Sequence, residues 1–276
     1  MKQVVIAGYA RTPFTLANKG ELARVRPDEL AATAVKGLVA KTGIDGKDIE
    51  DLIMGCAFPE GEQGLNVARL VVFLAGLPIS VGGVTVNRFC GSSMQGIHQA
   101  AGAIQMNAGH AFICAGVESM TRVPMAGFNP SPNPQLYEET PNAYVSMGIT
   151  AENLAKKYGI SRADQEVFAV ASHQKAAAAQ QAGKLTEEII PVGAVSKDGC
   201  IRPETTLETL AGLKLAFDEK GTVTAGTSSP LTDGASATLV CSEEFAKAHG
   251  LPILARIKSI AVSGCAPEIM GIGPVL

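Results

Sequence analysis

The sequence of 276 residues has no tryptophan and only 5% aromatic residues, so large aromatic anchors are not expected in its core. No uncharged apolar run reaches the roughly 18 residues that a membrane span requires. The net charge is −3 and the basic residues are scattered, which argues against nucleic acid as a partner. These absences predict a soluble globular protein with neither a membrane span nor a nucleic-acid partner.

Paired cysteines and a leader peptide are also lacking. The six cysteines are widely spaced and form no C-x-x-C pair, so neither a metal site nor a redox motif is predicted. Met1 and Lys2 lead directly into the strand-like QVVIAG, which leaves no room for a signal peptide. We therefore expect a reducing, cytoplasmic location.

What the sequence does contain is an alternation of strand-like and helix-like segments, which predicts an α/β fold: a mixed, mainly parallel sheet with helices on both faces. The segment PDELAATAVKGLVAKTG reads as a helix with Pro27 near its start and Gly43 past its end. GLNVARLVVFLAG is apolar on most sides and predicts an interior helix.

The alternation is interrupted in the middle of the chain. A stretch rich in Pro, Asn and Ser is followed by helices, one of which opens with Ser161 and Asp164 in the spacing of a capping box. We predict an α/β core formed by residues 1–120 and 222–276, with a mostly helical insertion over residues 121–221.

One cysteine stands out within VTVNRFCGSSMQGIHQAAGAIQ, where Cys90 separates a strand-like run from a helix that starts near Gly91 or Ser92. Ser92 and Ser93 are expected to cap that helix. The helix dipole favours a thiolate by only about 1 kcal/mol, so a nucleophilic Cys90 needs a base from elsewhere in the fold. The alternative is that Cys90 is a small, buried apolar residue.

Six motifs occur in the order and spacing of the thiolases: VNRFCGSSMQ, GVESM, SMGITAEN, RPETT, GTVTAGTSSPLTDGAS and IMGIGP. The sequence therefore resembles the thiolase family over essentially its whole length. It is more similar to the 3-ketoacyl-CoA thiolases of fatty-acid β-oxidation than to biosynthetic acetoacetyl-CoA thiolases. The resemblance implies a thiolase-like fold in which the insertion is a loop domain that carries most of the coenzyme A contacts.

The resemblance also implies an acyltransferase in which Cys90 is the catalytic nucleophile. Cys90 attacks the 3-keto carbonyl, acetyl-CoA leaves, and coenzyme A takes the acyl group from sulfur. The backbone N–H groups of Gly91 or of Cys90 itself are candidates to stabilise a thioester oxygen. Coenzyme A is a substrate here, and neither a tightly bound cofactor nor a metal is implied. Family members of this kind assemble as homodimers or homotetramers, so we expect the same of the full-length protein.

Four further residues match coenzyme A contacts of the family. Ser229 matches the serine that approaches the pantetheine, Met147 a methionine lining the same tunnel, and Met270 an apolar wall near the thioester. Lys214 departs from the pattern because many thiolases have an arginine there, which replaces a stacking guanidinium by a point charge. Ser146 stands where biosynthetic members commonly have histidine.

The later catalytic motifs of a thiolase, N-E-A-F, G-H-P and C-x-G-G-G, do not occur in these 276 residues. None of the four histidines has the G-H-P context, and the cysteines other than Cys90 that we considered for the second catalytic role are interpreted as structural: Cys114, Cys200, Cys241 and Cys265. We therefore expect an N-terminal portion of a thiolase that is inactive as it stands. The alternatives are a biosynthetic thiolase, a non-catalytic coenzyme A-binding module and a thiol redox protein.

Overall fold

The computed structural model describes residues 2–276, which form seven strands and eight α-helices. The strands are β1 (Val4–Arg11), β2 (Thr15–Leu16), β3 (Asp51–Gly55), β4 (Gly82–Val86), β5 (Ala111–Ser119), β6 (Thr232–Ser242) and β7 (Ala255–Arg256). The helices are α1 (Pro27–Thr42), α2 (Val67–Leu74), α3 (Ser92–Gln105), α4 (Pro134–Glu139), α5 (Met147–Tyr158), α6 (Arg162–Gln181), α7 (Leu207–Ala211) and α8 (Glu243–Ala248).

The chain divides into two compact units. The first contains the residues up to Asn129 together with Leu185–Cys200 and Leu231–Ile260. The second contains Pro130–Lys184, Ile201–Pro230 and Ala261–Leu276. The first unit holds the sheet, and the second is mostly helical.

All seven strands of the first unit join one sheet in the order β4-β3-β5-β6-β1-β7, with β2 paired to β6. The strands β4, β3 and β5 are mutually parallel, whereas β6 is antiparallel to both β5 and β1. Consequently β4, β3, β5, β1 and β2 run in one direction, and β6 and β7 run in the other. This arrangement confirms the predicted mixed sheet in which most strands share a direction.

Helices cover both faces of the sheet because successive strand residues point to opposite sides. On β3, Leu52 and Met54 pack in the cluster that contains the buried residues of α1 and α2, whereas Ile53 packs with Ala100 and Ile104 of α3. The α1 helix begins at Pro27 and ends at Thr42, and the following Gly43 closes it in the left-handed conformation with a φ of +67°. The fold class and this helix are as the sequence predicts.

The α2 helix is not interior, contrary to the sequence prediction. Val67, Ala68, Val71 and Val72 are buried against the sheet, but Phe73 is 53% exposed. The apolar run therefore covers two faces of the helix, only one of which packs within this unit.

The division into units differs from the predicted domain boundaries in four segments, which are 121–129, 185–200, 222–230 and 261–276. Leu185–Cys200 joins the sheet unit because Arg11 N donates to Glu188 O at 2.8 Å and Ile190 N donates to Arg11 O at 2.7 Å. The Arg11 guanidinium also binds both carboxylate oxygens of Asp198, at 2.7 and 2.8 Å.

The second unit is built from helices and short turns. The α6 helix opens with the predicted capping box, in which Ser161 and Asp164 exchange side-chain and backbone bonds. The α5 helix packs on the 3-10 helix Pro267–Val275, and Asn153 Nδ2 donates to Glu268 O at 2.8 Å between them. None of the helices in residues 2–276 is long and apolar enough to cross a membrane.

Candidate active site

Cys90 lies in the turn between β4 and α3, and its side chain is exposed. Because β4, β3 and β5 are parallel, this turn leaves the sheet where the carboxyl ends of the three strands meet. Ligands of α/β proteins commonly bind at this edge of the sheet. The exposure contradicts the alternative that Cys90 is a buried apolar residue.

The residue directly before Cys90 has a strained backbone. Phe89 has a φ of +44°, in the left-handed region that side-chain-bearing residues rarely adopt. Its N–H donates to Asn87 Oδ1 at 2.8 Å, and its carbonyl accepts from Ser92 N at 3.0 Å. Such conformations cost on the order of 1–3 kcal/mol and cluster at active sites. The turn that presents Cys90 therefore has a strained backbone conformation, which these hydrogen bonds hold in place.

Ser92 closes this turn rather than capping the helix. Its Oγ accepts from Arg88 N at 2.8 Å and donates to Phe89 O at 2.5 Å. The N-cap of α3 is Gly91, which makes no side-chain cap bond. The predicted capping by Ser92 and Ser93 is wrong, because the Ser92 hydroxyl is used by the turn that precedes the helix.

Two glycines allow the start of α3 to lie directly on the sheet. A Cβ added at Gly55, the last residue of β3, would lie 2.3 Å from Ser93 N. A Cβ added at Gly116 of β5 would lie 2.8 Å from Ser93 Cβ. These two glycines are not among the site residues predicted from the sequence, although a glycine near the end of a buried strand is a recognisable signal for close backbone approach.

A buried polar cluster lies beside the same strand ends. Glu118 Oε2 accepts from Ala57 N at 2.8 Å, and Gln63 Nε2 donates to Glu118 Oε1 at 2.8 Å and to Phe58 O at 2.9 Å. Burial raises the pKa of Glu118 above its usual range. Burial, with a smaller contribution from the Glu118 charge, raises the pKa of the Cys56 thiol to about 12. In the sequence, Glu118 is seen only as part of the motif GVESM.

The other cysteines of the sheet unit have environments unlike that of Cys90. Cys114 packs in the hydrophobic cluster that contains Ala100 and Ile104 of α3, and Cys241 packs in the cluster that contains the buried residues of α1 and α2. Burial raises the pKa of Cys241 to about 11 and also raises that of Cys114. Cys200 is partly buried. These environments agree with the structural role predicted for them.

Three histidines belong to the sheet unit, and none is placed to serve as the base for Cys90. His110 directly precedes β5, and His249 lies 3.6 Å from Asp48, which precedes β3. Both therefore lie toward the amino ends of parallel strands, opposite the Cys90 turn. His98 is on α3, about 9 Å along the helix axis from Ser92.

The second unit contains the four predicted coenzyme A contacts. Met147 is the first residue of α5 and is 48% exposed, and Met270 is 38% exposed on the 3-10 helix that packs against α5. Ser229 is exposed two residues after the 3-10 helix Ala225–Thr227. The structure thus places both methionines on elements that pack together.

Lys214 lines an open cavity of about 480 Å³ in this unit. The other lining residues are Arg162, Leu213 and 215–219. Arg162 Nη2 donates to the carbonyl oxygens of Leu210, Ala211 and Leu213, at 3.0, 3.0 and 2.8 Å. The Lys214 segment also connects to the segment leading to Ser229, because Ala216 N donates to Val223 O at 3.0 Å. Arg162 was missed by sequence reasoning, although it stands at the start of a capped helix.

Comparison with known proteins identifies a family and relatives that this chain resembles. A family model described as the thiolase N-terminal domain matches residues 4–244. The 3-ketoacyl-CoA thiolase of Bacillus subtilis (strain 168) is 48% identical over 292 residues, which cover all of this chain and 75% of that protein. The 3-ketoacyl-CoA thiolase of Shewanella frigidimarina (strain NCIMB 400) is 50% identical over 286 residues, covering 100% and 74%.

A solved structure also resembles this chain over nearly its whole length. Human mitochondrial 3-ketoacyl-CoA thiolase in complex with CoA superposes with a TM-score of 0.89 at 34% sequence identity. The match covers 99% of this chain and 73% of the human chain. The 276 residues therefore span about three-quarters of the relatives that they match.

Proposed function

The chain belongs to the thiolase family, and we propose that Cys90 is the nucleophile with which it cleaves a 3-ketoacyl-CoA. The activity is that of a 3-ketoacyl-CoA thiolase of the β-oxidation type, an acyltransferase. One observation supports the assignment of Cys90 above the others. Cys90 is exposed in a strained turn at the carboxyl ends of three parallel strands, whereas Cys56, Cys114 and Cys241 are buried.

The reaction proceeds in two half-reactions. Cys90 Sγ bonds to the 3-keto carbon, the bond between C2 and C3 breaks, and its electron pair leaves with C2 as the enolate of acetyl-CoA. A proton then converts that enolate to acetyl-CoA, and the shortened acyl group remains on Cys90 as a thioester. The sulfur of coenzyme A attacks this thioester, and Cys90 departs as a thiolate. A cysteine suits both steps because sulfur is both a good nucleophile and a good leaving group.

The backbone at the turn limits which N–H group can stabilise the thioester oxygen. Gly91 N already donates to Arg88 O at 3.0 Å. Of the two N–H groups named by the sequence analysis, the Cys90 N–H is therefore our candidate oxyanion donor. Its role is to stabilise the negative charge that develops on the carbonyl oxygen during each attack.

Coenzyme A is the proposed second substrate, and Met147, Lys214, Ser229 and Met270 are its proposed contacts. The related human enzyme is a complex with CoA, which supports this substrate. Lys214 borders an open cavity and offers a cationic side chain to phosphate groups, whereas the Arg162 guanidinium beside it is bound to Glu166 and to three carbonyl oxygens. The two exposed methionines offer adaptable apolar surface to the pantetheine or acyl chain.

We further propose that the protein is a homo-oligomer in which a second copy covers β4. This strand is at the edge of the sheet, with β3 as its single neighbour. Exposed apolar residues lie on β4, on α2, which packs against β4, and in the segments that precede these two elements: Leu65, Phe73, Leu74, Ile79 and Val84. An open edge of this kind invites pairing with another strand. Val84→Lys should lower the mass measured by light scattering, and an unchanged mass would place the interface elsewhere.

Substitution of Cys90 in the complete gene product tests the proposed activity. Cys90→Ala should abolish cleavage of a 3-ketoacyl-CoA, whereas Cys114→Ala and Cys241→Ala should lower thermal stability and retain turnover. Turnover by Cys90→Ala would refute the assignment. Binding of coenzyme A without turnover in the unsubstituted protein would instead support the non-catalytic coenzyme A-binding alternative.

A further inference from the structure

We propose that Glu118 is a positioning residue for the nucleophile, acting through the loop that follows β3. This inference rests on the proposed role of Cys90. The carboxylate of Glu118 does not reach the thiol itself; it fixes residues 57 and 58, which in turn hold the strained turn before Cys90. All of the contacts involved lie within the sheet unit.

The first step links Glu118 to the loop. Its two oxygens accept from consecutive backbone N–H groups, Oε2 from Ala57 N at 2.8 Å and Oε1 from Phe58 N at 3.3 Å. Gln63, which is fully buried, donates to the same carboxylate at 2.8 Å and accepts from Ser119 N at 2.7 Å. The Glu118 carboxylate is therefore fixed both by the loop backbone and by the Gln63 side chain.

The second step links the loop to the turn of Cys90. Ala57 O accepts from Asn87 Nδ2 at 2.9 Å, and Asn87 Oδ1 accepts from Phe89 N at 2.8 Å. The Phe58 ring packs edge-on against the Phe89 ring, with the centroids 6.0 Å apart. The loop therefore holds Phe89 by its backbone and by its ring, and Phe89 is the residue whose φ is +44°.

The chemistry of a carboxylate explains why glutamate is needed at this position. An ionised carboxylate is an acceptor at both oxygens, and the hydrogen bonds from Ala57 N, Phe58 N and Gln63 Nε2 favour this form although burial raises the pKa of Glu118. In the isosteric Glu118→Gln variant one of these positions becomes an NH₂ group, so that a donor faces a donor. We expect the loop to move away from that contact, and the turn at Phe89 to move with it.

The test compares the rate at which iodoacetamide alkylates Cys90 in the folded complete gene product with its turnover of a 3-ketoacyl-CoA. Glu118→Gln should lower the alkylation rate and kcat by about tenfold, because a displacement of about 1 Å can cost up to a hundredfold. The KM for coenzyme A should not change. A purely structural role would lower thermal stability and leave the alkylation rate of the folded protein unchanged.

Glu50→Gln is a matched control. Glu50 also accepts two consecutive backbone N–H groups, those of His110 and Ala111, each at 2.8 Å. It does so at the opposite end of β5, so that its substitution removes the same kind of bond without touching the Cys90 turn. The alkylation rate and kcat of this variant should match those of the unsubstituted protein.

Asn87→Ala removes the side chain that links Ala57 O to Phe89 N, and so tests the same connection at the end near Cys90. This test does not depend on whether Glu118→Gln folds. It should slow alkylation to a similar degree, and the double variant should be no slower than the slower single variant, since both act through one path. Losses that multiply in the double variant, or a Glu118→Gln rate within twofold of the unsubstituted protein, would overturn the proposal. Turnover by Cys90→Ala would refute the proposed function instead, whereas the alkylation rates would still report on positioning.

Discussion

Gly55 has no side chain and therefore allows Ser93, at the start of α3, to lie directly against β3. A Cβ at position 55 would lie 2.3 Å from Ser93 N. The close approach brings the first turn of α3 onto the carboxyl end of β3. A backbone atom cannot move out of the way as the end of a flexible side chain can. The position of Cys90 relative to the sheet therefore depends on this glycine.

Gly55→Ala should destabilise the protein by about 1–3 kcal/mol, the range for overpacking a tightly packed site. It should also slow alkylation of Cys90, because the start of α3 must shift. Gly102→Ala is the matched control on the same helix, since a Cβ at Gly102 meets nothing within 4 Å. Alanine there should stabilise the helix by up to about 1 kcal/mol. Thermal unfolding and alkylation kinetics measure both effects, and equal behaviour of the two variants would contradict the packing argument.

The cysteines should differ in reactivity toward iodoacetamide in the native protein. At pH 8, Cys56 and Cys241 are protonated because burial raises the pKa of their thiols to about 12 and about 11. Both are also inaccessible, whereas Cys90 is exposed. Peptide mass spectrometry should find Cys90 modified and Cys56, Cys114 and Cys241 protected until urea unfolds the chain. Early modification of Cys56 would show that the cluster around Glu118 is more open than described.

Substitutions at the proposed coenzyme A contacts should affect KM more than kcat. Lys214→Ala and Ser229→Ala remove groups that are remote from the reacting sulfur, so they should raise the KM for coenzyme A. Lys175→Ala, an exposed lysine on α6, controls for the loss of one positive charge. Steady-state kinetics with varied coenzyme A give the comparison. An unchanged KM would remove these two residues from the site.

Acid should weaken the connection between α8 and β7. Hydrogen bonds from Arg256 and Lys247 lower the pKa of Glu243 to about 2, below its ordinary value of 4.5. A depressed carboxyl pKa contributes stability above pH 4.5, and this contribution is lost as the pH falls from 4.5 toward 2. Thermal unfolding of Glu243→Gln should therefore show a smaller decline between pH 5 and pH 3 than the unsubstituted protein, with Glu244→Gln as the control. Equal declines would contradict the ion-pair argument.

The sequence predicts the elements whose signals are local. Pro27 and Gly43 mark α1 because both act through their own backbone geometry, and the capping box of Ser161 and Asp164 depends only on spacing within one turn. The turn at Cys90 is found for the same reason, as a change from strand to helix periodicity. Its assignment as a nucleophile comes from the family motif, and exposure supports it.

Features set by distant contacts could not be predicted. The segment around residues 253–264 has strand character, but only Ala255–Arg256 pairs, with Val5 and Ile6 of β1. The segment 222–230 also has strand character, yet it belongs to the second unit, where Glu152 accepts from Val223 N. The link from Glu118 to Phe89 spans three separate segments, so no local pattern reveals it. The cytoplasmic location stays a prediction.

The most direct test is the mass of the acyl-enzyme formed by the complete gene product. Incubation with a 3-ketoacyl-CoA in the absence of free coenzyme A should add one shortened acyl group, and peptide mapping should place it on Cys90. Addition of coenzyme A should remove it, and Cys90→Ala should neither acquire the group nor turn over substrate. An acyl group on another residue, or turnover by Cys90→Ala, would contradict the account.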